Sequence, residues 1–507
     1  MKSAKNFDDG VRLRDLFVDA NSEVSFEVPD ITVNDITANS GRVRQGGLFL
    51  ACQGTHHHGL DFADEAVAAK VAAIAWESQA GVQAPAVPAS VAAFPVDGLD
   101  ARVGDIADRF FGAPSAQITV TGITGTNGKT TTAWLASEAL NRLVVKSAYM
   151  GTLGYGVVPQ LEPSALTTPG CISVHRRLRE LLDDGVSNAV MEVSSHGLDQ
   201  GRIDGVRVKT AAFTNLSRDH LDYHGDFDTY KAAKAKLFSG VSLQTAVINV
   251  GDPFGVELAN GLSGRVRTIT VALNNQTRPS CEPELSASYI EVPASGLQIK
   301  FTGAFGTAEM NSVLWGQFNA ENLLVAVGIL LAHDYSLKQA VAALEVGSAP
   351  PGRMQVIKGA AHDPMVIVDF AHTPDALAKA LETVRNYCDG KIVCVFGCGG
   401  ERDQGKRGEM GAIANQLADH IIITSDNPRN EDPQAIIDAI LHGIDVDASC
   451  EVVEDRANAI SRAINMAVTG DAVLVAGKGS ENYQLIAGRA ETFSDQAVVT
   501  RALGMAS

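Results

Sequence analysis

The apolar positions of this chain fall in short unbroken runs, each closed by small or polar residues. Between residues 118 and 217 the runs are "ITVTGI", "NAVMEVSS" and "KTAAFTNLS", and beyond residue 364 they are "MVIVDF", "KIVCVFG", "HIIIT", "EVVED" and "AVLVAG". Runs of this length, rich in Val and Ile, predict strands buried on both faces, the environment of a parallel sheet covered by helices. Longer mixed stretches such as "TTTAWLASEALNRL" lie between them and predict helices, so the order is strand, helix, strand. Two breaks rich in Gly and Pro, "FFGAPSAQ" at 110–117 and "GSAPPGRMQ" at 347–355, divide the pattern. The expected fold is α/β in three domains. Residues 1–112 carry short strands ("GLFLAC", "AAIAW") and one Ala-rich helix, residues 113–348 a phosphate-loop domain with a mostly parallel sheet, and residues 349–507 a doubly wound, Rossmann-like sheet.

Composition narrows the function classes. The 507 residues are 45% hydrophobic and 20% charged, as in soluble globular proteins, and long enough for about three cores. A formal charge of −18 argues against nucleic acid or an anionic membrane as partner, so an anionic ligand must be met by local Lys and Arg. Seven scattered cysteines without a CxxC pair predict neither a disulfide framework nor a zinc site. The first residues lack an apolar signal core, and "VAAKVAAIAW" is too short and interrupted to span a bilayer. The predicted compartment is the reducing cytoplasm.

The candidate chemistry begins at "GITGTNGKTTT", residues 122–132, between a predicted strand and helix. Backbone N–H groups and a helix N-terminus there favour phosphate oxygens, Lys129 can reach β and γ phosphates, and the Thr130 hydroxyl can take Mg²⁺. The loop is one residue longer than the strict GxxxxGK[ST] spacing. Oxygen ligands for Mg²⁺ are offered at two more strand ends: Glu192 in "MEVSSHGLDQGR", and Asp219, His220 and Asp222 in "TNLSRDHLDYHG". At three strand ends of the last domain stand "GGERD", "SDNPR" and "GKGSE", where open parallel sheets bind ligands. On the loop alone, "SDNPRNED" is an ordinary solvated turn set by Pro428. The "GTHHHG" loop at 54–59 also reads as solvated, because consecutive histidines cannot easily face one ion.

These motifs in this order, together with "TTP", "YKAAKAKLF", "GQFNAENLLVA", "PGRMQ", "DFAHTPDAL" and "FGCGGERDQGKRG", resemble the ATP-dependent Mur ligases of peptidoglycan synthesis over nearly the whole chain. The resemblance implies that Gly125, Thr126, Asn127, Gly128, Lys129, Thr130 and Thr131 bind ATP, with Asn322 and Arg353 as nucleotide contacts and Asp369 near the ribose. It implies that Thr130 and Glu192 hold one Mg²⁺, and that His220 and a carbamylated Lys234 help hold a second. From the residues alone Lys234 is a solvated helix-face lysine. Ser40, Thr55, His56 and His57 are implied to meet the uridine end of the substrate, although Asn39 and Gly41 stand where the family has Asp and Arg. Thr167, Thr168, Ser194, Gln200 and Arg202 are implied to meet its sugar and peptide. Arg402, Asp426, Asn427, Pro428, Arg429, Gly477 and Glu481 are implied to hold the incoming amino acid, and Ser480 replaces the family's usual histidine.

The implied reaction adds meso-diaminopimelate to UDP-N-acetylmuramoyl-L-alanyl-D-glutamate through an acyl phosphate, forming ADP and phosphate. The expected partners are small molecules, with no nucleic acid and no membrane, and the chain acts as a cytoplasmic monomer. The alternatives are an L-lysine-adding counterpart, a folate polyglutamylating ligase, against which "SSHGLDQGR" and "DNPR" argue, and a phosphate-loop binding protein without ligase chemistry.

Overall fold

The computed structural model describes residues 10–17, 27–54, 57–79, 81–143, 145–274, 281–292, 295–357, 359–360 and 362–505. They form two compact units: Met1–Gly122, Val145–Lys209 and Ser239–Leu243 in the first, Ile123–Val144, Thr210–Phe238 and Gln244–Ser507 in the second.

In the first unit the strands Ile36–Thr37, Leu48–Ala51, Ala73–Glu77 and Ala92–Val96 pair in chain order, all parallel. The helix Leu99–Phe110 lays Leu99, Ile106 and Phe110 on one face of this sheet, against Leu48, Leu50 and Phe94. Its first turn is anchored by the buried Glu77, whose Oε2 accepts from Asp100 N at 2.8 Å. Further along, Ser147–Gly151 and Asn188–Glu192 pair in parallel around the crossover helix Cys171–Asp183, so the chain leaves a buried strand at Glu192.

In the second unit the phosphate-loop helix Lys129–Arg142 follows the strand Thr119–Thr124. The strands Val208–Phe213, Thr245–Asn249, Arg267–Leu273 and Leu285–Val292 run parallel, then Gly296–Gly303 and Gly306–Ser312 fold back antiparallel. The helix Gln317–Ala332 is apolar on nearly every side and almost wholly buried. Gly328 is its contact point, since a Cβ there would stand 2.6 Å from Val247 Cγ1.

The remainder of the second unit forms a six-stranded sheet in the order Gln355–Ile357, Met365–Asp369, Ala472–Ala476, Ile392–Phe396, His420–Ile423, Cys450–Val452. All pairs are parallel except the first. The helices Pro374–Tyr387, Gly405–Leu417 and Pro433–Leu441 pack on one face; Arg456–Met466 and Asp495–Ala502 pack on the other. The protein is thus α/β with mainly parallel sheets. The five apolar runs beyond residue 364 are strands, and the loops 397–402, 424–429 and 477–481 leave three of them at their carboxyl ends. The described cysteines form no disulfide. Among the described residues no helix is long and apolar enough to cross a membrane.

Candidate active site

The phosphate loop is fixed by its neighbours before any ligand arrives. Asn127 N donates to Asn215 Oδ1 at 2.9 Å, Thr126 N to Asn215 O at 2.8 Å, and the Thr126 hydroxyl lies 3.0 Å from that of Tyr230. Gly128 sits at φ 85°, where a Cβ would meet Asn322 Oδ1 at 2.2 Å, so helix 317–332 fits against the loop only because the loop is bare there. Asn322 is buried and bonded to Asn319, supporting the loop from beneath. Arg353 reaches in over the Phe370 ring and donates from Nη2 to Thr130 Oγ1 at 3.0 Å. Asp369 accepts from Met354 N at 2.7 Å and Ala371 N at 2.9 Å, and so holds the backbone that carries Arg353.

Two lysines converge on one carbonyl. Lys129 Nζ donates to Gly125 O and Thr126 O, both at 2.9 Å, and Lys234 Nζ donates to Gly125 O at 2.7 Å. Lys234 is 1% exposed, with its ammonium over the Tyr230 ring. Burial, and then the positive charge of Lys129, push its pKa well below the ordinary lysine value; Asp219 only partly opposes them. The expectation of a solvated lysine from residue pattern alone is therefore overturned, because helix Phe227–Ala235 turns this face inward against the phosphate loop. His220 caps the helix Leu221–His224 from the left-handed region at φ 55°, its Nε2 3.3 Å from Asp219 Oδ2. Burial raises the Asp219 pKa, but His220, His372 and Lys406 together bring it down to about 2.

In the first unit the strand end at Glu192 gathers the polar residues expected there. Glu192 is 1% exposed; its Oε1 accepts from Tyr149 OH and from Thr152 N at 2.9 Å, and Thr152 Oγ1 donates to Oε2 at 3.3 Å. Thr152 Oγ1 lies 3.0 Å from Thr167 Oγ1. Thr168 is fully buried: its hydroxyl donates to Glu192 O and accepts from Ser194 N, while its carbonyl accepts from Arg202 Nη1 at 2.8 Å. Ser194 caps the helix Ser195–Asp199, and Gln200 Oε1 accepts from Arg202 Nη2 at 2.6 Å. Tyr149 and Thr152 were invisible in the sequence; the one lies inside an apolar run and the other follows it.

Elsewhere in the first unit, Ser40 opens a turn capped by the Asn39 side chain. Thr55 and His56 lie outside the described residues. His57 is exposed and sits 3.6 Å from Asp61, whereas His58 bonds Glu77 O and Leu60 N, so neighbouring histidines face different partners. Among the described residues no three His, Cys, Asp or Glu side chains gather as a metal cluster. In each unit taken by itself the donors on offer are hard oxygens, the Thr130 hydroxyl in the second and the Glu192 carboxylate in the first, the ligand type that Mg²⁺ prefers.

The strand ends of the six-stranded sheet form a charged pocket. Asn427 Nδ2 donates to Glu481 Oε2 at 2.8 Å, and the fully buried Lys478 bridges Asn427 Oδ1 at 3.0 Å and Glu481 Oε2 at 2.8 Å. Asp426 is buried, and Gly477, at φ 118°, leaves it room: a Cβ would lie 2.5 Å from Asp426 Oδ2. Arg429 donates from Nη1 to Gly400 O at 2.7 Å, the carbonyl just after Gly399. Its Nε and Nη2 edge has no hydrogen-bond partner among the described residues. Burial and then the nearby Arg402 cation pull the Arg429 pKa down, and an anion at this edge would offset both. Arg402 itself is exposed at the rim. Pro428 packs its carbonyl over Gly400. Lys478 is the residue the sequence reading missed, although the "GKGSE" motif contained it.

A phosphate loop on one group of strand ends and a pocket with an open guanidinium edge beside a carboxylate on another are the equipment of a nucleotide-driven ligase. Comparison with known proteins agrees. Residues 32–111 match the description "Mur ligase family, catalytic domain", residues 123–330 "Mur ligase middle domain" and residues 352–479 "Mur ligase, glutamate ligase domain". A Xylella fastidiosa protein named UDP-N-acetylmuramoyl-L-alanyl-D-glutamate--2,6-diaminopimelate ligase is 44% identical over 478 residues, 94% of this chain and 95% of the relative. A Pseudomonas putida protein of the same name is 42% identical over 476 residues, 94% and 95%. A solved structure of a protein with that name is 32% identical, covers 98% of this chain and 99% of the other, and superimposes with a TM-score of 0.67. The chain belongs to the Mur ligase family.

Proposed function

We propose that this protein adds meso-diaminopimelate to UDP-N-acetylmuramoyl-L-alanyl-D-glutamate at the expense of ATP. The observation that carries the reading is the Arg429 edge beside Glu481. Meso-diaminopimelate differs from L-lysine by one distal carboxylate, and a planar guanidinium with two unoccupied donors can grip it bidentately. Glu481 is left with Oε1 to accept from the neighbouring ammonium, because Oε2 is already held by Asn427 and Lys478.

The remaining residues act on charge and position. Gly125 to Thr131 cradle the triphosphate, with Lys129 moving from its loop carbonyls to the β/γ oxygens and Arg353 braced against Thr130. Mg²⁺, when bound, would offset the charge of the transferring phosphoryl group. Thr130, Glu192, His220 and Lys234 are its proposed ligands. Burial lowers the Lys234 pKa and so favours the neutral amine, the form that combines with CO₂, and the carbamate so formed would present an anionic oxygen where an ammonium would repel a cation. The substrate γ-carboxylate takes the γ-phosphoryl group, releasing ADP, and the incoming amine displaces phosphate from the acyl carbon. This route needs no protein nucleophile. Asn322 and Asp369 support the nucleotide loops. Thr167, Thr168, Ser194, Gln200 and Arg202 receive the muramoyl-peptide end, and Ser40, Thr55, His56 and His57 receive the uridine. In this reading residues 1–112, 113–348 and 349–507 are the domains for UDP-sugar, ATP and amino acid, and the protein works as a cytoplasmic monomer.

Phosphate release with UDP-N-acetylmuramoyl-L-alanyl-D-glutamate, ATP and a panel of amino acids tests the proposal. Release only with both the muramoyl dipeptide and meso-diaminopimelate is expected. Release without the dipeptide, or equal use of L-lysine, would overturn it.

A further inference from the structure

The loop that presents Arg429 is held from a neighbouring element as well as by its own turn. Arg429 lies at φ 54°, a left-handed conformation that costs a non-glycine residue about 1–2 kcal/mol, inside a turn closed by Glu431 N donating to Pro428 O at 3.0 Å. What surrounds it is the hairpin Tyr483–Ile486 and Arg489–Thr492. Arg429 N donates to Leu485 O at 2.9 Å and Ala487 N donates to Arg429 O at 2.7 Å, so that Arg429 forms a parallel bridge with Ile486. Leu485 N donates to Asn427 Oδ1 at 2.9 Å, and the buried Gln484 donates from Nε2 to Asp426 O at 2.6 Å. Three of the four residues Asp426 to Arg429 are therefore held, one by one, from residues 484–487.

The hairpin has little else to do. Its second strand, Arg489–Thr492, is exposed at every residue and adds nothing to a core. Its turn is under strain of its own: Ala487 at φ 46° and Gly488 at φ 73° form a two-residue loop in which Asn or Gly is the favoured first residue. We infer that this hairpin is the specificity-positioning element of the amino-acid pocket, acting as a template strand that sets the backbone of Asp426–Arg429 and so aims the Arg429 fork. The inference rests on the reading of Arg429 as the carboxylate-binding residue.

The test uses the turn. Ala487→Pro removes the N–H that bonds Arg429 O and forbids the positive φ, whereas Ala487→Gly keeps the N–H and removes the strain. With Ala487→Pro the KM for meso-diaminopimelate should rise about tenfold or more, roughly the loss of one backbone hydrogen bond plus the released loop, and its preference over L-lysine should narrow. The KM values for ATP and the muramoyl dipeptide should stay within about twofold, and Ala487→Gly should match the wild type. An unchanged amino-acid KM in Ala487→Pro, a parallel rise in all three KM values, or equal damage from Ala487→Gly overturns the inference. If Ala487→Pro does not fold, Gln484→Met decides: a selective rise in amino-acid KM supports the template, and no change overturns it. Arg429→Ala, run alongside, separates the two readings. Should it leave diaminopimelate kinetics untouched, the pocket assignment fails; should it impair them while the hairpin variants do not, only the template fails.

Discussion

Replacing Arg429 with alanine removes the guanidinium proposed to distinguish a diaminopimelate pocket from a lysine pocket. The backbone cost is small, because alanine inherits the same φ of 54° and the same Cβ. What is lost is the Nε and Nη2 edge; the Nη1 bond to Gly400 O is spent inside the protein. Two charge-assisted hydrogen bonds to a carboxylate are worth about 1.5–3 kcal/mol each, and the half-buried setting of Arg429 lowers their sum to about 3–4 kcal/mol. At about 1.4 kcal/mol per decade, kcat/KM for meso-diaminopimelate should fall by roughly two to three orders of magnitude. L-lysine carries no distal carboxylate, so its kcat/KM should hardly move, and the preference between the two should nearly vanish. Arg429→Lys should recover about one decade, since a point charge replaces a fork. The assay is phosphate release at saturating ATP and muramoyl dipeptide, with each amino acid varied in turn. A loss below about threefold for meso-diaminopimelate, or a wild type that uses both amino acids alike, would refute the reasoning.

Four further outcomes follow from other sites. Lys129→Ala should abolish turnover with a melting temperature within a few degrees of wild type, because the side chain donates to the Gly125 and Thr126 carbonyls of its own loop; near-normal phosphate release would count against it. Lys234→Ala should be nearly inactive and partly restored by short carboxylic acids, and wild-type activity should respond to bicarbonate; a mass spectrum of the active protein showing only unmodified lysine contradicts the carbamate. Arg456→Met strips the partner from the fully buried Asp495, bonded at 2.8 Å, and should destabilise the protein by about 3–5 kcal/mol, with Arg456→Met/Asp495→Leu recovering part of it in denaturant melts. Burial and Lys406 hold the His372 pKa down at about 4, below its unfolded value near 6.5, so the unfolded chain takes up the proton first. Stability should therefore be unaffected above pH 6.5 and fall as the pH drops from there toward 4. His372→Asn should flatten the curve in that window, and an identical slope in wild type and variant would dismiss it.

The pattern of apolar runs located the strands because burial on both faces leaves a continuous signal, and the strand-end motifs then located the site, since parallel sheets bring their carboxyl ends together. The signal fails where a strand is buried on one face or none. Leu285–Val292, Gly296–Gly303 and Gly306–Ser312 are long strands that mix Ser, Thr, Glu and Lys among their apolar residues, and the hairpin at 483–492 has an entirely exposed second strand, so neither announced itself. Lys234 looked solvated because nothing in "YKAAKAKLF" reveals that Gly125 O waits on that face of the helix. Backbone strain at His220 and Arg429 was equally silent, since a positive φ at a non-glycine residue is imposed by its surroundings and is not encoded in its side chain.

The glycines at the strand ends carry a consequence for inhibition. A methyl group on Gly400 would lie 2.0 Å from Pro428 O, one on Gly397 2.1 Å from Thr424 O, and one on Gly477 2.5 Å from Asp426 Oδ2. At Gly397 and Gly400 the floor of the proposed amino-acid pocket is therefore main chain meeting main chain, with no side chain to exchange, while Gly477 meets the Asp426 carboxylate. Resistance commonly arises when one wall residue becomes bulkier and excludes the drug. Here that route is closed at Gly397 and Gly400, because the added carbon would displace the loop proposed to receive the substrate. A compound that spans this floor and ends on the Arg429 edge would leave the cell a choice among rim residues such as Arg402, and changes that weaken the compound's hold on the guanidinium would weaken diaminopimelate with it.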